Sequence, residues 1–178
     1  MTVEQYLALV DQGVLEPDDR VELLEGVVVA MAPPDPPHAG TTDRVARALR
    51  RALADRAHVR EEKPLLVGRY SLPEPDVAVV AIDPYDYTRS HPTTAHLVVE
   101  VSDSSLPQDR LSKSRIYAGA GIPEYWIVNL RGERVEIMRN PDPNRRCYRE
   151  TATASRGGRL VLVALPDVVV LADDLLPP

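Results

Sequence analysis

The stretch between residues 95 and 130 constrains this chain more than any other. "AHLVVEVS" and "PEYWIVNL" are short apolar runs rich in β-branched and aromatic residues, the pattern of strands covered on both faces. Between them "SSLPQDRLSKSRIYAGAG" reads as a helix, capped by Ser105 with Gln108 three residues on and ended by the glycines. Strand, helix, strand is a βαβ unit, so the two strands should lie parallel with a right-handed crossover. The first strand also carries an anomaly. Glu100 stands among Leu97, Val98, Val99 and Val101, where an unpaired buried charge would cost several kcal/mol. Either it faces outward or a cation meets it.

The remaining segments extend this unit. "TVEQYLALVDQG" has the period of a short amphipathic helix, with Thr2 and Gln5 as a capping box and Gly13 as a stop. "DRVELLEGVVVAMAP" predicts a β-hairpin turning at Glu25-Gly26. "APPDPPHAG" reads as a proline-rich bend, too stiff for helix or central strand. A helix is expected from Thr41 to Ala57, with Val45, Leu49 and Leu53 on one stripe and Arg44, Arg47 and Arg51 on a neighbouring face. Strand-like runs follow at 58–67, at "PDVAVVAI" and at "AHLVVEVS", the last two separated by a loop containing Pro84, Tyr85, Tyr87 and Pro92. After the βαβ unit, "RVEIMRN", "RCYRETATA", "RLVLVAL" and "DVVVLADDLL" read as antiparallel β structure. The fold class is α/β: an α-β-β-β-α-β core with a mixed sheet and additional β-hairpins at both ends, in one domain over 1–178.

Charge and composition exclude several function classes. The net charge of −6 rules out a general basic coat, so any nucleic-acid contact must be local. The lone Cys147 excludes an internal disulfide and a cysteine-based zinc site, and no apolar run is long enough to span a bilayer, so a cytoplasmic setting is expected. Of 21 basic residues only Lys63 and Lys113 are lysines. A lysine kept amid arginines is a candidate for work that a planar, permanent cation does poorly.

Side-chain alternation puts His96, Val98, Glu100 and Ser102 on one side of their strand. Asp76 opens "PDVAVV", and if the two strands pair, Asp76 and Glu100 can meet near the sheet's end. Two converging carboxylates repel unless a cation sits between them, and an oxygen-lined site suits Mg²⁺ or Mn²⁺ rather than zinc. On the crossover helix Asp109, Lys113 and Tyr117 recur every four residues and so share a face.

Asp76 after Pro75, Glu100 in a buried strand and a lysine beyond it resemble the PD-(D/E)XK nuclease superfamily. The stretch "LVVEVSDSSLPQDRLSKSRIYAGAGIPEYWIVNL", with "DRVELLEGVVVAMAPPDPPHAG" and "PEPDVAVV", is similar more closely to the Uma-two group of restriction-endonuclease-like proteins, over nearly the whole chain. The resemblance implies a restriction-endonuclease-like fold and metal-dependent phosphodiester hydrolysis. It implies that Asp76 and Glu100 hold one or two Mg²⁺ or Mn²⁺ ions with the Val101 carbonyl. Glu22 matches the outlying acidic position. Superfamily members usually carry the lysine two residues after the strand glutamate; Ser102 occupies that place here, and the resemblance moves the role to Lys113. His38 matches a histidine of the group's pattern without an assigned role.

The expected activity is that of a DNA endonuclease acting as a homodimer, since two strands need two sites and spare β-edges want covering. The rival is a non-catalytic nucleic-acid or protein-binding module on the same scaffold, which the net charge favours. A third reading, the same acids as a glycosidase pair, leaves Lys113 without a part. Plainer readings stand beside each assignment. Asp76 can merely start a strand, Glu22 has Glu25 as a neighbouring rival, and the arginine row can be a solvated face. Tyr125 and Trp126 read as core, and Asp142, Arg145 and Arg146 as a solubilising loop. Asp103, Asp173 and Asp174 receive no role.

Overall fold

Six strands form one mixed sheet in the order β3-β4-β5-β6-β7-β8. They comprise His58–Glu61 (β3), Val77–Val80 (β4), Leu97–Ser102 (β5), Glu124–Asn129 (β6), Arg134–Asp142 (β7) and Cys147–Ala154 (β8). In this computed structural model residues 1–16, 18–83 and 85–178 are described; Pro84, in the loop before β5, lies outside them. Only β5 and β6 pair in parallel, as the βαβ pattern requires, and every other neighbour is antiparallel. A hairpin of Val21–Leu24 (β1) and Val27–Ala30 (β2) precedes the sheet, and Arg159–Val161 (β9) pairs with Val169–Leu171 (β10) after it.

Alternation along the strands divides the core into two layers. Val77, Val79, Leu97, Val99, Trp126 and Val128 pack with Val45, Leu49 and Leu53 of the helix Pro36–Leu53 (α2; α1 is Val3–Asp11). On the opposite face Ala78, Val80, Val98, Tyr125 and Ile127 pack with Ile116 and Tyr117 of the crossover. Trp126 and Tyr125 are both fully buried, so they are core as expected. The β1–β2 turn falls at Glu25-Gly26, with φ of 49° and 84°, the paired positive φ that tight hairpins favour. Among the described residues no helix is long and apolar enough to cross a membrane.

Four local expectations need correction. The proline-rich segment is not a bend: α2 begins at Pro36, with Asp35 as N-cap accepting a hydrogen bond from the His38 amide. Prolines in the first helical turn cost nothing, because those amides have no helical partner to lose. The strand expected over 58–67 stops at Glu61, where Glu62 takes a φ of 46°. The crossover is not one regular helix. Leu106–Gln108 (α3) runs into a π-helical turn, Asp109–Lys113, and then Ser114–Gly119 (α4), and Ser105 makes no side-chain cap. Finally, the arginine row on α2 is largely structural. Arg44 donates to the Asp173 carbonyl at 2.7 Å and Arg51 pairs with Asp174 at 2.9 Å, which ties α2 to the last helix, Ala172–Leu175 (α5).

Candidate active site

Glu100 does not face outward. It is 2 % exposed, and its Oε1 accepts hydrogen bonds from Lys113 Nζ at 3.0 Å and from the Tyr117 hydroxyl at 2.8 Å. Lys113 closes the π turn and Tyr117 lies one turn further along α4, so one helical face delivers both donors to one oxygen. The π turn is itself pinned: the Tyr125 hydroxyl and the Ser114 amide both donate to the Asp109 carbonyl. Such turns recur at functional sites.

Asp76 comes next in register after the Val77–Val99 pair, which brings it beside Glu100 at the sheet's end. Its Oδ2 accepts the Val101 amide at 2.6 Å and lies 3.2 Å from His38 Nε2. Its own amide reaches Glu100 Oε2 at 3.4 Å. Glu22, on β1, is buried; the Glu74 amide donates to its Oε2 at 3.1 Å, and its Oε1 lies 3.5 Å from Lys113 Nζ. The structure therefore brings Asp76, Glu100, Lys113, Glu22 and Val101 together, lining one cavity of about 370 Å³.

The site is short of positive charge. Seven carboxylates line the cavity (Glu22, Asp35, Glu74, Asp76, Glu100, Asp103 and Asp109) against two permanent cations, Arg20 and Lys113. Burial pushes the Glu100 carboxyl well above its usual range; Asp76, Asp109 and Glu22 push the same way, and Lys113 opposes them. Burial would by itself lower the Lys113 ammonium, but Glu100, Glu22, Asp109 and Asp76 outweigh it and hold the pKa above its ordinary value. Lys113 is thus the fixed cation of the cluster, and the uncompensated excess is negative. Burial likewise raises Asp109, with Lys113 first and then Ser105 and Ser102 holding it back.

A small divalent ion fits this donor set. Among the described residues no three His, Cys, Asp or Glu side chains gather closely enough to cage a metal. Mg²⁺ needs no such cage: it binds through one or two carboxylates and keeps water or substrate oxygens for the rest. Oxygen donors without thiolates also suit Mg²⁺ or Mn²⁺. The two acids offer suitable atoms, since Asp76 Oδ1 makes no hydrogen bond among the described residues and Glu100 Oε2 makes only the long one.

Three residues visible in the sequence had no role legible there. His38 reaches Asp76 because α2 starts earlier than its prolines suggest; its pKa is raised chiefly by that hydrogen bond, against burial. Tyr117 sits on the helical face already shared by Asp109 and Lys113, but spacing gives no target for its hydroxyl. Asp109 is held by the Ser105 hydroxyl at 2.7 Å in a turn whose π geometry no local pattern announces.

The sequence and the fold have counterparts among known proteins. The Uma2 family model, described as "Putative restriction endonuclease", matches residues 3–174. The crystal structure of a "putative nuclease" from Anabaena variabilis ATCC 29413 superposes with a TM-score of 0.78 at 14% identity, covering 98% of this chain and 97% of that one. No curated protein matches.

Proposed function

The chain belongs to the Uma2 family, and from that premise we propose that it is a Mg²⁺- or Mn²⁺-dependent endonuclease hydrolysing phosphodiester bonds of DNA. The observation that carries this reading is the meeting of Asp76, Glu100, Glu22 and Lys113 in one oxygen-rich cavity whose charge is too negative to admit a phosphate unaided. Asp76 and Glu100, with the Val101 carbonyl, would hold the ion. When bound, such an ion lowers the pKa of the attacking water and offsets charge on the phosphate.

The chain's own residues supply the rest. The Val101 amide and His38 fix Asp76, and Tyr117 and Lys113 fix Glu100. Lys113, held cationic, is placed to orient the water or balance developing charge. Glu22, anchored by the Glu74 amide, keeps the lysine from swinging wholly onto Glu100 and is positioned to accept a proton. A homodimer would present two such sites; β3 and β8 leave both edges of the large sheet open for pairing, and β8 is mostly exposed.

The test is cleavage of duplex, single-stranded and branched DNA with Mn²⁺. Wild-type protein should cut at least one, whereas Asp76→Ala and Glu100→Ala should cut none while remaining folded. Wild-type protein that leaves all three intact ends the nuclease reading. The rival binding module rests on the net charge of −6, and calorimetry with Mn²⁺ separates them: a nuclease must bind the ion through both acids, and a binding module need not.

A further inference from the structure

The two carboxylates are held alike. Asp76 Oδ2 accepts the Val101 amide at 2.6 Å with His38 Nε2 at 3.2 Å, and Glu100 Oε1 accepts Lys113 at 3.0 Å and Tyr117 at 2.8 Å. A carboxylate oxygen has two lone-pair sites, so each acid has one oxygen fully engaged by donors. The partner oxygens, Asp76 Oδ1 and Glu100 Oε2, are the lightly engaged ones. Each acid is therefore pre-set to give a metal one oxygen.

We infer that Tyr117 is a positioning residue that makes Glu100 a one-oxygen ligand, and that it thereby selects small octahedral ions over Ca²⁺. This rests on the reading of Asp76 and Glu100 as the ion's ligands. Mg²⁺ and Mn²⁺ take six ligands in near-ideal octahedra, whereas Ca²⁺ takes six to eight and accepts carboxylates through both oxygens. A glutamate whose Oε1 is occupied cannot close that two-oxygen bite. The lysine alone would not suffice, because its ammonium is shared with Glu22 at 3.5 Å. The tyrosine hydroxyl is carried on a ring that is wholly buried and packs against Tyr125, tilted by 58° with centroids 5.1 Å apart, so it has no room to turn away.

Calorimetric titration with Mn²⁺ and separately with Ca²⁺ tests the inference, using wild-type protein and Tyr117→Phe. The phenylalanine keeps the ring and leaves Glu100 paired with Lys113, so metal-free melting should change little. Mn²⁺ binding should weaken about tenfold, the usual effect of removing a partner behind a metal ligand. The preference for Mn²⁺ over Ca²⁺ should shrink by a similar factor. The preference is the decisive readout: both ions carry the same charge, so a general change in site electrostatics or fold moves both affinities together. Should Tyr117→Phe not fold, infrared spectra of wild-type protein test the same ligation: carboxylate stretches whose splitting stays wide with both ions are expected, and a splitting that Ca²⁺ narrows, the mark of two-oxygen binding, overturns the inference. An unchanged preference in a folded variant overturns the role of Tyr117 and leaves the nuclease reading intact. Wild-type protein that binds neither ion removes the nuclease reading itself.

Discussion

Lys113 Nζ lies 3.0 Å from Glu100 Oε1, and both side chains are all but closed to solvent. Removing one partner of such a pair strands the other charge and costs about 3–5 kcal/mol, although the intact pair adds little over an apolar replacement. Lys113→Met should therefore destabilise strongly, because Glu100 and Glu22 both lose their cation. Glu100→Gln should cost less, since Glu22 still faces the lysine. The double variant should be more stable than the sum of the two losses by about 1–3 kcal/mol, the coupling expected of residues in contact. Urea unfolding of the four proteins in EDTA measures this, and strict additivity would show that the pair is not coupled.

The charge of the cavity makes a prediction about binding that is separate from cleavage. Seven carboxylates facing two permanent cations repel a phosphate backbone. Duplex DNA should bind wild-type protein about tenfold or more weakly in EDTA than in Mn²⁺ at the same ionic strength, a difference of about 1.4 kcal/mol. Asp76→Ala should bind DNA more tightly than wild type in EDTA, because a repelling charge is gone, and should respond less to Mn²⁺. Fluorescence anisotropy reads both. Equal affinity with and without the ion would mean that DNA contacts some other face.

Which parts of this were readable from the chain follows from the range of the interactions. The βαβ unit was legible because two apolar runs and a helical spacer are local patterns, and β5 and β6 do pair in parallel. Asp76 and Glu100 could be placed together because strand alternation carries a side chain's direction along the sheet. Glu22 could not be told from Glu25 by pattern. Only the β1–β2 register, which pairs Glu22 with Val29, and the Leu23–Leu72 bridge turn Glu22 inward, while Glu25 pairs with Arg146 outside the site. His38 was hidden by a rule applied too widely: prolines break helices internally but suit their first turn, and here they start α2. Asp142, read as a solubilising loop residue, is 6 % exposed at the end of β7, because Arg149 reaches back across the hairpin to its Oδ2 at 2.9 Å.

Acid sensitivity should have an identifiable source on β7. Glu136 is held at a pKa of about 2, below the ordinary 4.5, chiefly by hydrogen bonds from Arg110, with Asn129 and Arg134 adding to them against partial burial. A carboxylate whose folded pKa is depressed contributes stability that is fully present above its unfolded value and is lost as pH falls through the folded one. The contribution should thus be whole above about pH 4.5 and decline from there toward pH 2. Glu136→Gln should lower the melting temperature at pH 7 and flatten its fall between those values. A variant whose acid limb parallels that of wild type would assign the sensitivity elsewhere.

At the other end of β6 a second buried acid has an unrelated task. Glu124 is wholly buried, and its Oε1 accepts from Trp126 Nε1 at 2.9 Å and from Arg139 Nε at 2.8 Å, while its Oε2 accepts the Val163 amide at 2.8 Å. Arg139 continues to the Val161 carbonyl, so this one carboxylate joins β6 and β7 to the segment after β9. Its donors come from Trp126, Arg139 and the Val163 amide, and the acid lies outside the lining of the cavity that holds Asp76 and Glu100. Glu124→Ala should therefore cost about 3–5 kcal/mol, since it leaves a half-buried guanidinium, an indole N–H and a backbone amide without their acceptor. Glu124→Gln keeps an acceptor for the Trp126 and Arg139 donors and should cost less. Neither change should alter Mn²⁺ affinity in protein that remains folded. Chemical denaturation with calorimetry on the same samples distinguishes Glu124 from Glu100: loss of metal binding at Glu124 would place it in the site, and retention marks it as a structural clasp.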